Sequence, residues 1–131
     1  MRNQAREAAL TIIFSEQINS DQSQQFQERV FKSIDLKKDD DIEFAVQLLN
    51  CVREHKAELE EKIDDACHHY HVDRINPMDK TILLIAMAEI CYFDDIPDVV
   101  SVSEAAGLAK KYSSETSVDF VHGVLAGIVN R

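Results

Sequence analysis

Apolar residues recur along this chain at intervals of three and four, the spacing that gathers them on one face of an α-helix. Ala5, Ala8, Ala9, Ile12 and Ile13 outline a first helix over roughly Arg2 to Asn19. Phe26, Val30, Phe31 and Ile34 outline a second, starting near Asp21. Ile42, Ala45, Val46, Leu49 and Val52 outline a third, which starts after Asp39-Asp40-Asp41, carboxylates that suit the positive end of a helix dipole. The pattern runs on through Leu59, Ile63, Ala66 and Tyr70, either as one long helix or as two joined end to end.

The next segment has the clearest start. Asn76-Pro77-Met78-Asp79 puts an asparagine at the cap, proline at the first helical position and aspartate at the third. From Ile82 to Phe93 the residues are apolar on most sides, which predicts the central, most buried helix. Asp94-Asp95-Ile96-Pro97 ends it. Ser101 or Ser103 is expected to cap a short sixth helix ending near Tyr112. Thr116, with Asp119 three residues on, resembles a capping box for a last helix carrying Val121, Val124, Leu125 and Ile128. Six or seven helices predict an all-α fold in one domain spanning residues 1–131.

Composition supports this picture and narrows the chemistry. Only three glycines and two prolines interrupt 131 residues, and 45% of positions are hydrophobic. No apolar run is long enough to cross a bilayer, and Met1 to Glu7 hold no secretory apolar stretch, so a cytoplasmic location is expected. Three cysteines, Cys51, Cys67 and Cys91, read as small core residues rather than a disulfide framework. Cys67 and His71 share a helix face beside His68 and His69, but no third and fourth zinc ligands are evident, so no metal or other cofactor is expected. No glycine-rich phosphate loop or nucleophile elbow is present, and the acidic runs read as solvated helix faces; an enzyme is not expected.

The net charge of −10 argues against nucleic-acid binding through bulk positive charge. Charge is uneven, however. Arg2 to Phe14 hold two arginines against Glu7, and Lys110 and Lys111 sit together. A local basic patch on an acidic body remains compatible with these numbers.

The ordered series of residues resembles the NusB family. It comprises Ala5-Arg6-Glu7 with Ala9 and Phe14; Tyr70, Arg74, Asp79 and Ile82 to Ala86; Glu89-Ile90; Asp95-Ile96-Pro97 before Val99-Val100-Ser101-Val102. Glu104-Ala105, Leu108-Ala109-Lys110, Tyr112 and the closing Phe120-Val121-His122-Gly123-Val124-Leu125 complete it. The resemblance implies two small helical bundles packed together. It further implies a non-enzymatic bacterial factor for transcription antitermination that pairs with the ribosomal protein NusE. The pair binds the single-stranded boxA element of nascent ribosomal RNA and serves the antitermination complex of RNA polymerase, with no membrane involved. By the same resemblance Arg2, Asn3, Gln4, Arg6, Lys110, Lys111, Thr116 and Phe120 face RNA, while Phe14 and Asp79 face the protein partner. The first helix and the loop before the last helix would then form one shallow, locally basic surface. Self-association into a homodimer through that surface is a further implication. The alternative reading is a protein–protein scaffold on the same fold that has lost RNA binding.

Overall fold

The computed structural model describes residues 2–19, 24–69 and 74–130. Among them lie six α-helices: α1 (Arg2–Asn19), α2 (Gln24–Ser33), α3 (Asp39–His69), α4 (Pro77–Tyr92), α5 (Asp98–Tyr112) and α6 (Glu115–Val129). The expected start of the second helix near Asp21 lies outside the described residues, as do Tyr70 and His71.

α4 packs against α1, α3, α5 and α6 and thereby joins an N-terminal group, α1–α3, to a C-terminal group, α4–α6. Every residue from Thr81 to Glu89 is buried, so this helix has almost no wet face, as its composition predicts. Its start also follows the sequence: Asn76 adopts extended backbone and accepts from the Asp79 amide at 2.8 Å, with Pro77 opening the helix.

Residues 39–69 form one helical run broken at His55, where φ −109° and ψ 16° leave the helical region. Phe44, Leu48 and Val52 are buried before the break, and Leu59, Ile63 and Ala66 after it. A straight helix of 31 residues would extend about 46 Å at 1.5 Å per residue, too long for a domain this size to cover. The break lets both halves keep an apolar stripe on the core. There the His55 ring stacks on Tyr92, centroids 4.0 Å apart, and the Tyr92 hydroxyl donates to Glu58 Oε1 at 2.5 Å.

α2 ends in a Schellman motif. Asp35 takes the left-handed conformation at φ 61°, the Asp35 amide donates to Lys32 O and the Leu36 amide to Phe31 O. Two helix starts differ from expectation. α5 begins at Asp98 directly after Pro97; Ser101 lies inside it, buried, with its hydroxyl donating to Glu89 rather than capping. α6 is capped by Ser114, which accepts from the Ser117 amide at 3.1 Å, so Thr116 and Asp119 form no capping box.

Candidate nucleic-acid interface

Three polar clusters organise the surface on either side of α4. The first is internal. Arg6 on α1 forks onto Glu89 of α4, Nε to Oε2 at 2.7 Å and an Nη to Oε1 at 2.8 Å, and Ser101 of α5 adds a third donor at 3.0 Å. Arg6 is 4% exposed and Glu89 1%. The structure thus places Arg6, expected to face RNA, inside the fold: its guanidinium is committed to a buried carboxylate and joins three helices. Such a pair is held because its charges cannot be left alone in an apolar interior.

Arg2 occupies the rim above this cluster. Its guanidinium sits 4.7 Å from the centre of the Phe44 ring and 3.4 Å from Asp95. With Phe44, Asp40, Asp41 and Glu43 it lines a polar depression of about 330 Å³. Asn3 is exposed and Gln4 half-buried. The carboxylates around Arg2 already offset much of its charge.

The second cluster lies at the opposite end of α4. Asp79, 5% exposed, accepts from Asn76 Nδ2 at 3.1 Å, Ser113 Oγ at 2.9 Å and Ser117 Oγ at 2.9 Å. Both carboxylate oxygens of Asp79, the residue expected to face the protein partner, are engaged inside the fold, on the wall of a cleft. That cleft has a volume of about 570 Å³, and its walls also include Arg74, Ile75, Asn76, Thr116, Asp119 and Phe120. Thr116 is exposed and Phe120 half-buried. Arg74 was not foreseen as a site residue; the available signal was a cation two positions before the Asn-Pro cap. Phe14, half-buried, lies one turn before Gln17, which bonds to Thr81, so it stands at this end of α4 too.

The third cluster connects the two ends. Glu7 of α1 receives Lys111 Nζ at 2.5 Å and the Tyr112 hydroxyl. Burial, then the bond to Glu7, pushes the Tyr112 hydroxyl up to about 12. Lys110 and Lys111 are both exposed, immediately before the α5–α6 corner. The foreseen residues thus do not form one compact patch. Arg2 lies beyond the C-terminal end of α4 and Phe120 beside its N-terminal end, about 24 Å of helix apart, with the lysines between.

Among the described residues no group of histidines, cysteines and acids is arranged to hold a metal ion. Cys67 is buried, and the exposed His68 ring meets the Asp64 carbonyl at 3.0 Å. His71 lies outside the described residues. No described helix is long and apolar enough to cross a membrane.

The NusB family profile matches residues 3–130. The chain belongs to the NusB family. Among its curated NusB relatives, the transcription antitermination protein NusB of Finegoldia magna is 34% identical over 130 residues, covering 99% of this chain and 94% of that protein. The Oceanobacillus iheyensis NusB is 38% identical over 128 residues, 98% of each. The fold matches solved NusB structures. One, of antitermination factors NusB and NusE in complex with double-stranded RNA, superposes with a TM-score of 0.87 at 22% identity, covering 98% of this chain and 96% of that one. Thermotoga maritima NusB gives 0.84 at 24% identity, covering 100% and 92%.

Proposed function

We propose that this chain is a transcription antitermination factor that binds the boxA element of nascent ribosomal RNA together with the ribosomal protein NusE, and serves the RNA polymerase antitermination complex. Its role is to bind, not to catalyse. The observation that carries this reading is the full-length match to relatives named as transcription antitermination proteins. Such a factor works in the bacterial cytoplasm.

In this reading single-stranded RNA starts at the cleft beside α4. A base stacks on Phe120, Thr116 and Arg74 meet the backbone, and the strand continues over Lys110 and Lys111 toward Asn3 and Arg2. Gln4 adds a hydrogen bond at the far end. Phe14 contributes to the NusE contact. The net charge of −10 leaves this chain a weak competitor for phosphates, so the basic partner supplies much of the attraction.

Fluorescence anisotropy with a labelled boxA oligonucleotide, with the chain alone and with NusE, tests the division of labour. Binding by the isolated chain as tight as by the pair would refute it. With NusE present, Phe120→Ala should weaken binding about tenfold or more, the loss of one stacked base. Lys110→Ala with Lys111→Ala should lower the slope of log K against log salt by about 1–2. An oligonucleotide that ignores all three changes would favour the scaffold alternative.

A further inference from the structure

We infer that Asp79 is a positioning residue for RNA binding: its carboxylate fixes the α5–α6 corner so that Thr116 and Phe120 stand at the mouth of the cleft. The inference rests on the RNA-binding reading above, and it gives Asp79 a task other than contact with a protein partner.

The connection between α5 and α6 is only two residues long, Ser113 and Ser114. Ser113 leaves the helical region, φ −127° and ψ −110°, and Ser114 is extended, φ −148° and ψ 169°. Backbone hydrogen bonds alone do not tie such a joint to α4. Asp79 does so from the first turn of α4, taking one hydroxyl from the joint itself and one from the first turn of α6. Ser113 Oγ reaches Oδ1 and Ser117 Oγ reaches Oδ2, both at 2.9 Å. A serine has a single O–H hydrogen. With both hydrogens directed at the carboxylate, the 2.9 Å approach between Ser113 Oγ and Ser117 Oγ follows from their shared acceptor.

Remove that acceptor and the hydroxyls turn to each other and to Ser114, whose Oγ is 3.1 Å from Ser117 Oγ. Those bonds stay within the corner and none reaches α4. Thr116 directly precedes Ser117, and Phe120 follows it by three residues, one turn along the same helix. The aim of both side chains is thus set by the turn that Asp79 holds. The carboxylate lines the inner wall of the cleft, 5% exposed, and both of its oxygens accept from the corner's serines.

The test uses the full chain with NusE and a fluorescein-labelled single-stranded boxA oligonucleotide, with melting temperature as the check on folding. Asp79→Ala should weaken RNA binding about tenfold while leaving association with NusE unchanged, because the lost contact is the stacked base. Asp79→Asn keeps one acceptor oxygen and should recover part of the loss. In a Phe120→Ala background, Asp79→Ala should add nothing, since the two act as a unit. If Asp79→Ala fails to fold, the paired change Ser113→Ala with Ser117→Ala removes the same bonds from the other side and should reproduce the loss. A folded variant with unchanged RNA affinity overturns the inference. So does a loss that adds fully to that of Phe120→Ala, or a loss of NusE association. Failure of the RNA-binding reading shows itself separately, as no binding by the unaltered pair, and the inference falls with it.

Discussion

Arg6 shows how a residue's type can point one way and its surroundings another. An arginine four positions from Arg2, on an N-terminal helix, has the sequence signature of a phosphate contact. Its partner Glu89 is 83 residues away in the chain, so no local pattern announces the pairing. Removing one half of a buried pair leaves the other charge stranded. Arg6→Ala should cost about 3–5 kcal/mol of folding stability, read from urea unfolding, while Arg6→Met combined with Glu89→Leu should restore most of it. A loss under 1 kcal/mol for the single change would mean that Glu89 finds another partner. Arg2 is the contrast: half-exposed and paired with an exposed aspartate, it contributes little to stability.

At the scale of elements, caps discriminate between the sequence reading and the structure. Asn76→Ala should cost about 1–2 kcal/mol, since it loses the bond from the Asp79 amide and its own bond to the Asp79 carboxylate. Ser114→Ala should cost about 1 kcal/mol, whereas Thr116→Ala should stay within about 0.5 kcal/mol, measured by the same unfolding experiment. The opposite order would restore Thr116 as the cap. Helix existence was legible throughout, because burial of one stripe imposes the three-and-four spacing. The run of apolar residues in α4 announced its central place in the same way. Helix starts were less legible where several capping residues crowd together: Ser113, Ser114, Thr116 and Ser117 all qualify by type, and only the fold selects Ser114. Ser101 looked like a cap because its acceptor, Glu89, belongs to another helix. In the candidate site, Phe120 and Thr116 were named from the family pattern and do share a cleft. Arg74 and the spread of the site along α4 depend on how helices lie in space, which spacing along the chain does not encode.

For the whole molecule, the tyrosines set an alkaline limit. Burial, then the hydrogen bond to Glu7, raises the Tyr112 hydroxyl from 10.0 to about 12; for exposed Tyr92 the bond to Glu58 does the same first, again to about 12. A tyrosine ionises by losing a proton, and the unfolded chain loses it at the lower pH. The contribution is therefore fully present below pH 10, and stability falls as pH rises from about 10 through 12. Tyr112→Phe should flatten this decline in melting temperature over that window; an unchanged slope would show that the bond to Glu7 carries no weight. The enclosure of α4 on all sides has a consequence for biosynthesis. α1 and α3 leave the ribosome before their central neighbour has been made, so the faces they turn to α4 stay wet until residue 92 has emerged. Folding is then a single late event of translation, and a nascent chain stalled after α3 would be a client for chaperones rather than a finished half.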